Sequence, residues 1–135
     1  MADTFQLEIV TPEKKVVDTN ATEAQIPGKN GYLGVLPGHA PLITELAIGE
    51  LTFHGDGGEE QHLALAGGFA EVLPDKVTIL AETAERPDEV DVERARKAKA
   101  RAEERLTSGE TNVDVERSLN ALHKAETRLE VAEKK

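Results

Sequence analysis

Few side chains in this sequence could do chemistry, and most are ruled out by what stands beside them. Cysteine is absent, which removes thiol catalysis and disulfides. No glycine-rich loop carries the lysine that cradles a phosphate, and no paired carboxylates sit in a recognisable catalytic setting. His54, Asp56 and His62 flank one turn and could meet as metal ligands. Exposed hairpin histidines ordinarily hold no metal and no further carboxylate is fixed nearby, so no metal site is assigned. The remaining functional types gather between Thr83 and Ala95. There Asp88 and Asp91 are candidate helix caps behind Pro87, and Asp91 and Arg94 form an i,i+3 pair. Taken alone, these are a cap, an ordinary surface pair and, at Arg101, a solubilising charge.

The elements that must position these residues change type once. All six prolines and ten of the eleven glycines lie at or before Pro87, and so do Phe5, Tyr32, Phe53 and Phe69. Beyond it the chain is rich in Ala, Glu, Lys, Arg and Leu, which are good helix formers. Charge divides in the same place. Residues 1–87 carry 5 basic and 14 acidic side chains (net −9), and residues 88–135 carry 11 and 12 (net −1). An acidic first part repels a phosphate backbone, so nucleic acid is not expected as a partner. No apolar run reaches the about 20 residues of a membrane-spanning helix. The N-terminus lacks the pattern of a signal peptide, and the chain reads as cytoplasmic.

In the first part, Phe5 to Ile9 alternates apolar and polar with the period of a half-buried strand. Val16-Val17 and Thr22 to Ile26 are short strand candidates, residues 50–66 read as a hairpin, and Phe69 to Leu73 and Val77 to Leu80 follow. Gly67-Gly68 marks a bulge or a close backbone approach. Gly31 to Leu42 is read as an irregular connection that leaves Tyr32 or His39 at the surface. In the second part, Asp91 caps a helix to about Leu106, with Val92, Ala95, Ala98, Ala102 and Leu106 on one face. Gly109 ends it. A second helix starts near Asn112, with its stripe at Val115, Leu119, Leu122, Ala125, Leu129 and Ala132. The expected fold is α+β: an all-β sandwich or flattened barrel over residues 1–86, then an antiparallel two-helix hairpin over 87–135. Because the first helix offers mostly alanine, the hairpin is marginal alone and must lean on something else.

Three stretches carry a family resemblance: Gly31-Tyr32-Leu33-Gly34-Val35-Leu36-Pro37-Gly38-His39-Ala40-Pro41-Leu42, Leu65-Ala66-Gly67-Gly68-Phe69-Ala70-Glu71-Val72 and Val77-Thr78-Ile79-Leu80-Ala81-Glu82-Thr83-Ala84. Together they resemble the epsilon subunit of bacterial F-type ATP synthases, and the resemblance covers essentially the whole chain. It implies a non-catalytic subunit of the rotor stalk that couples proton flow to rotary ATP synthesis. Its implied partners are the gamma subunit, the c-subunit ring and, through extended helices that block ATP hydrolysis, the alpha/beta catalytic head. By the same resemblance Tyr32 faces the c-ring loops and His39 lies close to gamma. The resemblance further implies a complex at the cytoplasmic face of the bacterial plasma membrane, with membrane association only through it. No cofactor is required, but some family members bind regulatory ATP on the hairpin. The matching pattern here is Val90-Asp91-Val92-Glu93-Arg94-Ala95, with Val90 in place of Ile or Leu. Glu85, Arg101 and Arg128 are implied to join Val90, Asp91, Arg94 and Ala95 there, and Lys124 stands where those members have another arginine. Arg94 and Arg101 share one helix face, with the small Ala98 between them. Without the resemblance, a free-standing β-sandwich adaptor that binds another protein remains the alternative.

Overall fold

A computed structural model describes residues 3–135. The strands are β1 (Phe5–Val10), β2 (Lys15–Gly28), β3 (Gly31–Val35), β4 (Leu42–Glu45), β5 (Gly49–Gly55), β6 (Glu60–Val72) and β7 (Lys76–Glu85). A 3₁₀ turn at Pro87–Glu89 leads to α1 (Val92–Thr107) and α2 (Val115–Ala132). Pairings run β1-β7-β6-β5-β2, and β2 returns to β1, so five strands close a ring. β3 extends it beside β2 and β4 beside β6. The result is the expected flattened barrel followed by a helical hairpin. No helix among the described residues is long and apolar enough to cross a membrane.

The core lies inside the ring and is apolar, mostly aliphatic. Phe5, Leu7, Ile9, Ile26, Leu51, Leu63 and Ile79 are fully buried there. Fully burying one such side chain stabilises by about 1.5–3 kcal/mol, so the barrel is the stable body of the molecule.

The structure corrects the strand boundaries, and the corrections share one cause. β2 is continuous for 14 residues where two short strands were expected. Its buried side chains run Val17, Ala21 and then Ala24, Ile26, so the inward phase slips by one residue, where its register with β5 also shifts. β6 slips likewise, from Leu63 and Leu65 to Ala70 and Val72, and its partner β7 slips from Ala81 to Ala84. A strand that switches phase looks to a period-two reading like two strands or a break. Gly31 to Val35, read as irregular, is a short strand paired with β2, and the irregular chain begins only at Leu36.

Helix α1 begins where expected, with the Asp91 carboxylate accepting from the Arg94 amide at 3.1 Å. Gly109 beyond its end has φ +75, the left-handed conformation suited to glycine. Helix α2 starts three residues later than Asn112 suggested, because Asp114 takes the cap through the Arg117 amide at 3.1 Å. Its stripe is also corrected. Val115 and Leu119 are exposed, whereas Ser118 and Val131 are buried. α2 packs against α1 and also against β5 and β6. One face therefore cannot describe it.

At the β6 phase slip, Gly68 has φ +113, and a Cβ there would run into the Leu80 carbonyl oxygen. Gly31 also has positive φ (+121) but open space around it. Gly68→Ala is therefore expected to destabilise the fold by about 2–4 kcal/mol and Gly31→Ala by about 1–2 kcal/mol. Urea denaturation of the two variants measures the gap; equal losses would show that the Leu80 contact does not matter.

Candidate functional site

The chain leaves β7 at Glu85 and must turn before α1 can begin. Pro87 opens a 3₁₀ turn whose Glu89 amide donates to the Arg86 carbonyl at 3.0 Å, while Glu89 Oε1 accepts from the Arg86 amide at 2.9 Å. The Arg86 side chain reaches back into the body, with Nη2 donating to the Val16 carbonyl at 3.0 Å and Nη1 to Gln61 Oε1 at 3.5 Å. Lys14, in the turn between β1 and β2, donates from Nζ to Glu89 Oε2 at 2.8 Å. Val90 is buried behind this turn, and Asp91 caps the helix that follows.

A cleft of about 570 Å³ opens at this joint. The body lines it with Thr11, Glu13, Lys14, Glu82 and Glu85, and the joint and arm with Glu89, Arg94 and Arg128. Arg128 Nε donates to Glu85 Oε1 at 2.6 Å, which ties α2 to the end of β7. No carboxylate among the described residues pairs with the Arg94 guanidinium, whose residue is bonded through its backbone amide. The seam beside the cleft is made of small residues: Ala64 and Ala66 of β6 lie against Lys124, Thr127 and Arg128 of α2.

Of the residues singled out in the sequence, the structure brings Glu85, Arg94 and Arg128 together in one cleft. Val90, Asp91 and Ala95 do not line it: Val90 and Ala95 are buried, and Asp91 caps α1. Arg101 does not line the cleft; it is exposed two turns further along α1. Sequence reasoning missed Lys14 and Glu89, which are separated by 75 positions and carry no local signal of their pairing.

Tyr32 and His39 lie elsewhere, on separate supports. Tyr32, on β3, is 61% exposed, yet its hydroxyl accepts from the Glu50 amide at 3.2 Å. Desolvation of that end of the ring pushes its pKa up. His39 sits in the exposed 36–41 loop, where Nδ1–H donates to the Ala40 carbonyl at 2.7 Å. Gly38, with φ +87, anchors this loop by donating its amide to the Pro74 carbonyl at 2.8 Å.

Two further surfaces need a place in the account. Phe69 (53% exposed) faces Leu80 (55%) across β6 and β7, and Ile43 (70%) stands one row away on β4. Their cross-strand neighbours Glu45 and Glu71 rim this apolar face with negative charge. On the β5–β6 hairpin, His54 contacts Glu23 at 2.8 Å and Glu60 at 3.4 Å, and His62 contacts Glu50 at 2.7 Å and Glu60 at 3.1 Å. The ring nitrogens are thus taken by carboxylates. No group of metal-ligating side chains suited to an ion occurs among the described residues.

A five-strand ring with two flanking strands, carrying a helical hairpin hung on a polar joint, defines a body-and-arm protein. Residues 4–87 match the family described as ATP synthase, Delta/Epsilon chain, beta-sandwich domain, and residues 88–133 its long alpha-helix domain. The ATP synthase epsilon chain of Koribacter versatilis is 71% identical over 110 residues, spanning 81% of this chain and 77% of that one. That of Solibacter usitatus is 47% identical over 135 residues, the full length of both. Among solved structures, a chain of the Euglena gracilis mitochondrial ATP synthase (OSCP/F1/c-ring) superposes with a TM-score of 0.83 at 27% identity, over 98% of this chain and 82% of that one. A chain of the Tetrahymena thermophila mitochondrial ATP synthase central stalk and c-ring shares the fold, with a TM-score of 0.58 at 12% identity over 96% and 94%.

The chain therefore belongs to the ATP synthase delta/epsilon chain family, as an epsilon-type component of the central stalk of a complex whose catalysis other subunits perform. The free-standing adaptor gives way to this assignment.

The joint has a defined pH response. The Lys14 hydrogen bond, followed by the Arg86 amide, holds the Glu89 carboxyl below its ordinary 4.5. A depressed folded pKa means that the tie is intact above 4.5 and is lost as pH falls through the lower folded value. Because the pair is part-exposed, solvent screening keeps its contribution small. Between about pH 6 and about pH 3, wild type should lose more stability than Glu89→Gln in urea titrations; parallel pH profiles would refute the linkage.

Proposed function

We propose that the body grips the gamma subunit through the acid-rimmed face of Ile43, Phe69 and Leu80, while the arm regulates ATP hydrolysis. An exposed apolar face with a polar rim has the composition of a protein interface. Tyr32 contacts the c-ring loops and His39 lies beside gamma. The subunit itself performs no catalysis. It stays peripheral at the cytoplasmic face of the bacterial plasma membrane, attached through the complex alone.

The observation that carries the regulatory reading is the character of the seam. The docked hairpin rests on Ala64 and Ala66 and on partly exposed ties such as Glu85–Arg128. Partly exposed ion pairs contribute about 0–1 kcal/mol each, and alanines bury little area. An arm held so weakly can exchange between docked and extended states under a modest bias. In the extended state it reaches the alpha/beta head and blocks hydrolysis.

The cleft at the joint is the place for a regulatory ligand, and its residues fit ATP. Its volume falls within the about 300–1,000 Å³ usual for ligand pockets. Arg94 is free to meet a phosphate, and Arg128 keeps its terminal nitrogens while Nε holds Glu85. Arg101 serves the site only if α1 shifts. No other cofactor is required.

Deleting residues 88–135 is expected to raise ATP hydrolysis by the assembled complex several-fold and to leave stoichiometric recovery of gamma unchanged. Unchanged hydrolysis would overturn the inhibitory role, and loss of gamma would overturn docking by the body alone. For the ligand, MgATP should shift NMR resonances of the joint in wild type and not in Arg94→Ala. Identical shifts in both, or none at millimolar concentration, would reject the site.

A further inference from the structure

Lys14 is the basic side chain that the body contributes to the cleft; the other two basic lining residues, Arg94 and Arg128, come from the arm. Its backbone is held in place: the Thr11 amide donates to the Lys14 carbonyl at 2.9 Å, and the Lys14 amide donates to Thr11 Oγ1 at 3.3 Å. Its ammonium rests on Glu89 Oε2 at 2.8 Å, while the other oxygen of that carboxylate accepts from the Arg86 amide at 2.9 Å. An ammonium has three N–H donors on a flexible stem, and Glu89 takes one of them.

Charge in the cleft makes this lysine matter. Four lining carboxylates (Glu13, Glu82, Glu85, Glu89) against three cations (Lys14, Arg94, Arg128) leave a net −1. A polyphosphate entering this cleft is repelled unless its cations turn away from their internal carboxylates. The exposed Lys14–Glu89 pair is the tie most readily exchanged, because solvent already screens it. A phosphate offers a greater charge and more acceptor oxygens than one carboxylate.

Building on the reading of the cleft as an ATP site, we propose that Lys14 is a phosphate ligand which Glu89 holds in reserve. On binding, the ammonium exchanges the Glu89 carboxylate for a phosphate oxygen. The nucleotide is then held by the body through Lys14 and by the arm through Arg94 and Arg128. A ligand that needs both parts in place binds the docked state alone and so stabilises it by mass action. Glu89 becomes the competitor that sets the affinity.

Calorimetric titration of the full chain with MgATP tests this through substitutions of opposite expected sign. Lys14→Gln should weaken binding about 5–10-fold, and Lys14→Arg should recover most of the loss. Glu89→Gln retains an oxygen for the Arg86 amide but releases Lys14, so its Kd should lie at or below that of wild type. Lys15→Gln removes the same charge one residue away, from a side chain paired with Asp18 at 3.1 Å, and should leave the Kd unchanged. If Lys14→Gln and Glu89→Gln weaken binding together, the pair is a structural tie and the proposal fails. It fails equally if Lys14→Gln has no effect, or if both lysine variants lose the same affinity, which would be a field effect. Wild type that binds no MgATP overturns the ATP site itself, whereas binding that depends on Arg94 but not on Lys14 overturns this inference alone.

Discussion

The position of the arm is decided by Arg86. This residue directly follows β7, and its guanidinium is bonded to the Val16 carbonyl and to Gln61, so the chain leaves the body at a fixed point. Its own amide and carbonyl are both taken by Glu89, which sets the direction of the 3₁₀ turn. Pro87 then restricts φ at the first turning position. Everything beyond, including the Asp91 cap and the seam under α2, inherits its direction from this residue. Among the described residues, two ion pairs return from the arm side across the cleft: Lys14 to Glu89, and Arg128 to Glu85.

The two halves of the molecule are held by interactions of different size. In the body, apolar side chains such as Leu7, Ile9, Leu51 and Leu63 are removed from water completely. The arm adds Val131, a few alanines and partly exposed ion pairs. Hydrophobic burial of several kcal/mol per few residues stands against ties of about 1 kcal/mol or less each. A perturbation large enough to move the arm is therefore too small to unfold the body. That inequality is what the proposed division into a rigid grip and a responsive arm requires.

Much of this was legible in the sequence, for reasons that particular residues make plain. Phe5, Leu7 and Ile9 alternate cleanly because β1 keeps one face inward along its whole length. Asp91 and Gly109 bracket α1 because a cap carboxylate and a left-handed residue are local requirements. The long strands were misread because Ala21, Ala24, Leu65 and Ala70 do not keep one phase: the chain crosses from one side of the flattened barrel to the other within a strand. The α2 stripe failed at Val115 and Leu119 because that helix serves two neighbours, and a single-face pattern has no means to show it. In the cleft, the family pattern pointed to Arg94 and Glu85, but it could not supply Lys14, whose partner is remote in sequence. Arg101 shares a helix face with Arg94 but does not line the same cleft, because it lies two turns further along α1.

The site of the cleft follows from the same mechanics. A ligand shifts a two-state equilibrium only by the difference between its affinities for the two states. Had the ligand touched the body alone, it would bind equally with the arm docked or extended and change nothing. A ligand on the arm alone would be as ineffective. The largest differential is available where groups from both parts meet in one state and separate in the other. In this chain that place is the joint, where Glu85 and Lys14 of the body face Arg94 and Arg128 of the arm. Moving such an equilibrium from 1:99 to 99:1 takes about 5.5 kcal/mol of differential binding, whereas three or four charge-assisted contacts at about 1.5–3 kcal/mol each can supply it. A nucleotide with several phosphates has enough acceptors to engage all the cations at once; a single carboxylate does not. The regulation proposed for this joint therefore needs neither a large interface nor a rearranged core, only an anion long enough to span the gap between a fixed part and a loose one.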